Sequence, residues 1–237
     1  MKKIYVLLLV LCLSAGRLAA QSSQQSLWGG LFHTHKLSKH WGYAFDGQFR
    51  SADDVKYLRN ILLRPSVAYY IDNNHVFNLG YAYIGTNSRD ISGSKSFRAE
   101  SRTFQQFTLT HKVCPGTNLS HRFRLEQRYM GESADGADDN YFSQRFRYFI
   151  RAVVPLKKDS VFSKGLFLGL QNEVFVNIQN KDKVNDSFFD QNRAYIALGY
   201  RFSKKFDIEA GYMNQFSKTF GGNVTNNILQ VALYTRL

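Results

Sequence analysis

An all-β fold, an antiparallel transmembrane β-barrel, is what this sequence predicts, on three observations. Apolar and polar residues alternate one by one through about ten short segments. The chain opens on a leader that reads as an export signal, and past it no apolar run reaches the 18 residues of a helical span. Strict alternation sends successive side chains to opposite faces of a strand. Here one face carries Phe, Tyr, Leu and Val, and the other Arg, Glu, Gln and Asn. A soluble sandwich would bury the first face. A membrane barrel turns it to lipid and sends the charges to the lumen.

The leader comes first in the chain. Lys2 and Lys3 precede the apolar run Ile4 to Leu13, and small residues end it at Leu18-Ala19-Ala20. That order is the n-region, h-region and cleavage region of a secretory signal. The expected organisation is a signal peptide over residues 1–20 and one barrel domain over 21–237. Cys12 would leave with the leader, so Cys114 would stand alone with no disulfide partner.

The strands follow. After an opening segment, Leu27 to Leu37, the cleanest alternation is Trp41 to Arg50: Trp41, Tyr43, Phe45, Gly47 and Phe49 share a face opposite Asp46, Gln48 and Arg50. Ile61, Leu63, Pro65, Val67, Tyr69 and Ile71 make the next face. The turn Asp72-Asn73-Asn74 leads to Phe77, Leu79, Tyr81 and Tyr83. Pro65 has no N–H for the ladder, which predicts a bulge or a rim position there. Further on, Leu119, His121, Phe123 and Leu125 alternate with Arg122, Arg124, Glu126 and Arg128. Phe146, Tyr148 and Ile150 alternate with Arg145, Arg147, Phe149 and Arg151. Leu168, Leu170 and Val174 oppose Gln171 and Glu173; Ile196, Leu198 and Tyr200 oppose Arg193, Tyr195 and Arg201. Ile208, Ala210 and Tyr212 oppose Asp207 and Glu209, and the chain closes on Leu229, Val231, Leu233 and Leu237.

Short turns at Ser38 to His40, Asp72 to Asn74, Cys114 to Thr117 and Ser203 to Lys205 take turns with longer polar loops. Those loops lie near Ala52 to Tyr57, Asn87 to Arg98, Gly131 to Asn140, Asn180 to Phe188 and Ser217 to Thr225. Short periplasmic turns and longer external loops are the outer-membrane habit. Eleven segments are legible, yet single-chain bacterial barrels have even strand numbers. About 12 strands are therefore expected, the missing one inside Asn87 to Phe104; ten is the alternative.

Charge narrows the function classes. The chain carries 31 Lys and Arg against 18 Asp and Glu. The basic residues are scattered singly through alternating strands, without the clustered stripe or basic helix of a nucleic-acid binder, so no nucleic-acid partner is expected. The expected partners are outer-membrane lipid, small anionic solutes, and the assembly machinery during insertion.

The candidate site is the inward charge set: Arg122, Arg124, Glu126 and Arg128 on one strand, Arg145, Arg147 and Arg151 on the next, then Glu173, Arg193, Arg201 and Glu209. A small barrel must fill its interior, and bidentate Arg–carboxylate bridges between strands do so. The same arginines, as a ring, would select anions in a pore. The leading expectation is a small, porin-like channel or a barrel whose charged lumen is plugged by side chains. The alternatives are an outer-membrane lipid-modifying enzyme and a structural or assembly partner acting through its external loops. An enzyme needs a Ser–His constellation. His33 and His35, or His111 and His121 across the Cys114 turn, lack a partnered serine in the sequence, so no catalytic residue is assigned. His33, His35, His40 and Cys114 lack metal-ligand spacing, and Asp135, Asp138 and Asp139 lack that of a calcium loop, so no metal or cofactor is expected. Trp41, Tyr43, Tyr69, Tyr70, Tyr81, Tyr83, Tyr200 and Tyr212 read as interface anchors.

Three short motifs occur in order: Leu170-Gln171-Asn172-Glu173-Val174-Phe175, Phe189-Asp190-Gln191-Asn192-Arg193 and Gly211-Tyr212-Met213-Asn214-Gln215. With Trp28 and the run His121 to Arg128, the chain resembles a family of uncharacterised Gram-negative outer-membrane β-barrels known only as a domain of unknown function. The resemblance spans nearly the whole chain after the leader. It implies the location and the fold, and brings no activity, substrate or catalytic residue.

Overall fold

The structure is a computed structural model that describes residues 22–89, 93–134, 139–157 and 162–237. The expected leader with Cys12 lies outside these residues, as do Asp135 and Asp138. Eleven strands follow one another: β1 (Ser22–Lys36), β2 (Trp41–Ala52), β3 (Tyr57–Tyr70), β4 (His75–Arg89), β5 (Lys95–Cys114), β6 (Thr117–Ser133), β7 (Tyr141–Pro155), β8 (Gly165–Gln179), β9 (Phe189–Ser203), β10 (Phe206–Thr219) and β11 (Gly222–Arg236). Each pairs antiparallel with the next, and β1 closes the barrel by pairing in parallel with β11, from Ser22 beside Val224 to Thr34 beside Arg236.

The expectation of 12 strands, or of ten, is therefore corrected to eleven. Among the described residues of 87–104 there is no additional strand. Instead β4 runs on to Arg89, and a single long β5 starts at Lys95. A wall of antiparallel neighbours with an odd count must meet itself in parallel, and that is how β1 and β11 meet. The ends then separate: Ser22 starts at one rim and Leu237 finishes at the other. We call the rim holding connections 37–40, 71–74, 115–116, 156–164 and 204–205 the turn rim. The opposite one, with 53–56, 90–94, 134–140, 180–188 and 220–221, is the loop rim. The connection from Pro155 to Gly165, absent from the loops expected of the sequence, leaves and re-enters the wall at the turn rim.

Alternation sorts the side chains as their polarity demands. On β9, Tyr195, Ala197 and Gly199 are buried while Ala194, Ile196 and Leu198 between them are exposed. The same holds for Ile228, Gln230 and Ala232 against Leu229 and Val231 on β11. Outward lie Leu229 at 62 % exposure and Leu198 at 54 %; inward, Glu126 and Glu209 are at 1 %. This is the reverse of a soluble protein's distribution. Tyr70 departs from the anchor reading: its ring faces inward, under the Lys36 ammonium and beside the turn-rim end of the lumen.

Two devices lock the register from inside. Gly80 on β4 pairs with Phe104 on β5, and Gly199 on β9 with Phe167 on β8; in each case the phenyl ring lies where a Cβ would stand. Only glycine leaves room for that ring, and the aromatic covers the backbone that glycine exposes. Pro65 makes neither a bulge nor a rim. It sits mid-strand beside Phe45, and the β3–β4 ladder simply pauses at Arg64 and Pro65, resuming in the same register at Ser66. The register shift between β2 and β3 falls at Arg50/Ser51 instead, where Arg59 is the extra residue on β3. At the turn rim Asp72 accepts the backbone N–H groups of Asn74 and His75 at 2.7 and 2.8 Å. The Asn74 bond, followed by the His75 ring, holds this carboxyl below the ordinary aspartate value.

Candidate functional site

Inside the barrel the strand faces bring the charges of neighbouring strands to the same level. Glu126 on β6 is the hub. Its Oε1 accepts from Arg147 Nη1 at 2.5 Å, and its Oε2 from Arg145 Nη2 at 2.8 Å and Arg102 Nη1 at 3.3 Å. Arg124 Nη1 lies 3.7 Å away. Arg147 also holds Glu173 on β8 at 2.7 Å, which Arg122 reaches at the same distance; Arg145 extends to Asp190 on β9 at 2.7 Å. Toward the loop rim Glu100 takes Arg102 and Arg128 at 2.7 and 2.6 Å. Toward the turn rim Arg151 bonds Glu209, which also accepts from Tyr234, and Asp207 takes Arg201 and Arg236 at 2.8 and 2.7 Å.

All eleven residues read from sequence as the inward charge set do face inward. Most of them join this network. Arg193 does not: its Nη2 reaches Gln191 at 3.4 Å, its Nε is buried without a partner, and among the described residues no carboxylate pairs with it. Sequence reasoning missed Asp46, Arg64, Glu100, Arg102, Asp190 and Arg236. The Glu100 and Arg102 pair was legible as charges two apart, the spacing of one strand face. Ser101 and Thr103, beside them on the other face, are polar as well, so no apolar alternation marks the pair as wall.

Aromatic rings back arginines with acids and arginines without them. The Arg50 guanidinium lies 3.9 Å from the centre of the Trp28 ring, and that of Arg193 lies 5.2 Å from it. Arg124 covers Phe104 at 4.4 Å and Arg147 covers Phe175 at the same distance. A guanidinium over a ring face keeps a favourable electrostatic contact where water is scarce. Trp28, Tyr195, Ala197, Met213 and Ile228 form an apolar cluster on the β1–β9–β11 side of the lumen.

Among the described residues the lumen holds two chambers that matter here. One, of about 410 Å³, opens at the loop rim beside Ser51, Ser217 and Thr219. The other, of about 530 Å³, lies toward the turn rim beside Tyr70, Thr110 and Arg236. Arg64 lines both. It is 5 % exposed and fixed by Asp46 at 2.6 Å, so it stands as part of the partition between them.

The outward face has a polar border as well. Gln105 and Gln127 exchange amide bonds at 3.1 and 3.3 Å, and Asn172 and Asn192 at 3.2 and 3.0 Å; Asn214 donates to Asn227, which donates to Ser23. These amides satisfy one another across strands. Below them toward the turn rim the outward face is apolar, from Ala194 to Phe202 on β9 and from Leu229 to Leu237 on β11, broken near the rim by His33, His121 and Thr235.

The histidines of the enzyme alternative lie on the outside. The His33 and His35 rings are 6.3 Å apart and those of His111 and His121 stack at 5.2 Å. His33 bonds Thr235 and His121 bonds Tyr148. Ser26 faces inward onto Asn226. Among the described residues no histidine bonds a serine.

Comparison with known proteins matches this architecture to sequences without an assigned activity. The chain is 30 % identical over 197 residues to an uncharacterised protein of Methylorubrum extorquens, an alignment covering 82 % of this chain and 80 % of the other. Residues 25–226 match the family described as "Protein of unknown function (DUF2490)", and the chain belongs to that family.

Proposed function

We propose that this protein spans the outer membrane as a barrel whose lumen is occluded at rest, rather than serving as an open diffusion pore. The observation that carries the reading is the inverted side-chain distribution: exposed leucines outside, and hydrogen-bonded Arg–carboxylate bridges inside, with Glu126 at their centre. In water an outward apolar face of this extent is a liability; in lipid it is what holds the barrel in place. The apolar stretches of β9 and β11 have about the 9–11 residues a tilted strand needs to cross the hydrocarbon. They start at the turn rim, and the strands overshoot them at the loop rim, which supports the loop rim as the external one. Insertion would proceed through the cell's assembly machinery for such barrels.

Occlusion follows from the partition. An ion crossing the lumen must pass Arg64, Arg124 and Arg147, whose side chains are nearly inaccessible and held by Asp46, Gln106 and Glu126. The test is single-channel conductance of the refolded chain, without residues 1–20, in a planar bilayer. Silence from protein shown to be folded is expected. Steady openings that Arg147→Gln alters would replace this reading with an anion-selective channel.

A further inference from the structure

We infer that the loop-rim chamber is a binding site for a small soluble oxyanion, a phosphate- or carboxylate-bearing molecule entering from the loop rim. The inference rests on the membrane-barrel reading above for its orientation only. The chamber wall carries eight arginines and one carboxylate, Glu100. Glu100 is already taken by Arg102 and Arg128, Glu126 by Arg145 and Arg147, and Asp46 by Arg64. Among the described residues Arg50, Arg59 and Arg193 are left with no acid.

Such a surplus is costly in a confined, partly dehydrated space unless an anion completes it. The donors left without an acid meet a neutral acceptor or none. Arg50 Nε and Nη2 both point to a single neutral acceptor, Gln48 Oε1. The Nε atoms of Arg193 and Arg64, both lining the chamber, are buried and unpartnered. Trp28 carries both the Arg50 and the Arg193 guanidinium, so two arginines without an ion pair among the described residues neighbour one indole. Paired forks are the arrangement that takes carboxylate or phosphate oxygens bidentately. The volume, about 410 Å³, lies within the range of small-molecule sites. The Arg-rich wall also raises the local concentration of anions at the mouth.

Trp28 supplies the readout. With Trp41→Phe, an exchange on the outer face, Trp28 is the only tryptophan of the chain. The chain, refolded in neutral detergent and checked for folding by its heat-dependent gel mobility, is titrated with sodium phosphate, sodium citrate and, at matched ionic strength, sodium chloride. Phosphate or citrate should change Trp28 emission saturably and raise the thermal midpoint, while chloride does neither. Which of the two acts at lower concentration identifies the phosphate or the carboxylate arm. Arg193→Gln and Arg50→Gln should each weaken the response about tenfold or more. Arg236→Gln, in the other chamber, should leave it within about twofold.

Equal responses to phosphate, citrate and chloride overturn the site, as do variants at Arg50 and Arg193 that respond like the parent. If those variants do not fold, the parent's midpoint in oxyanion against chloride decides alone. Conductance enters none of these outcomes. A conducting barrel that binds phosphate through Arg193 would overturn occlusion and keep the site, and a silent barrel blind to oxyanions would do the reverse.

Discussion

Arg147 on β7 and Glu126 on β6 meet inside the barrel at 2.5 Å, with the Glu126 side chain 1 % exposed and three further guanidiniums within 4 Å of it. One carboxylate thus touches four guanidiniums, three of which also reach Glu100, Asp190 or Glu173. A buried ion pair adds little net stability when it is intact, but removing one partner strands the other.

The two sides of this hub are therefore unequal. Glu126→Gln keeps the shape and removes the only negative charge shared by Arg102, Arg124, Arg145 and Arg147, so it should cost about 3–5 kcal/mol. Arg124→Gln removes a charge already in surplus, whose hydrogen bonds run to Gln106. It should change stability by no more than about 1 kcal/mol. Reversible urea unfolding in lipid vesicles measures both. Equal losses would mean that the arginine surplus is not felt inside the lumen.

Depth on the outer face gives a second contrast. Leu198 lies in the apolar stretch of β9, exposed and flanked by Ile196 and Tyr200. Gln144, on β7 opposite Gln127, lies at the level of the polar border. Arginine at mid-depth on a lipid face costs about 2–4 kcal/mol and near the interface about 0–1. Leu198→Arg should fall in the first range and Gln144→Arg in the second, by the same vesicle unfolding. A Leu198→Arg protein as stable as the parent would mean that this face does not meet lipid.

The facing of these residues is legible in the sequence because alternation depends only on backbone geometry. Leu198 outward and Arg193 inward follow from counting in twos. Counting fails where both faces are polar: from Ser101 to Gln106 of β5, outward Ser101, Thr103 and Gln105 pair with Tyr81 and Gln127, and the stretch shows no alternation although it is wall. That is why Glu100 and Arg102 escape the candidate set, whereas the expectation of 12 or ten strands comes from the even-number habit of single-chain barrels. Partners across strands depend on register, which turns and shifts such as that at Arg50/Ser51 decide. Hence the sequence shows that Arg193 points inward, and only the fold shows that it finds no acid there.

Register itself can be attacked at one point. The Phe167 ring occupies the space above Gly199, and Phe167 is 1 % exposed. Gly199→Val would drive a branched side chain into that ring, and overpacking of this kind costs about 1–3 kcal/mol. Gly199→Val with Phe167→Ala should recover part of the loss, because the smaller residue vacates the place. A double variant no better than the sum of the two singles would show that ring and glycine are not coupled.

The parallel meeting of β1 and β11 makes the sharpest claim about topology. With eleven strands, Ser23 shares the loop rim with Gly221, while Lys205 and Cys114 share the turn rim. A wall of 12 or ten strands would send the start of the chain to the rim of Lys205. Cys114 is exposed and unpaired, so it already reports on the turn rim. In a Cys114→Ser background, Ser23→Cys, Gly221→Cys and Lys205→Cys can be compared one at a time. At Gly221 nothing lies within 4 Å of an added Cβ, so cysteine is accommodated. A bulky, impermeant maleimide applied to intact cells should label Ser23→Cys and Gly221→Cys, and reach Lys205→Cys or native Cys114 only after the outer membrane is opened. Labelling of Ser23→Cys together with Lys205→Cys, and apart from Gly221→Cys, would break the parallel closure. If the two pairs stay apart but exchange sides, the closure stands and the loop rim faces the periplasm.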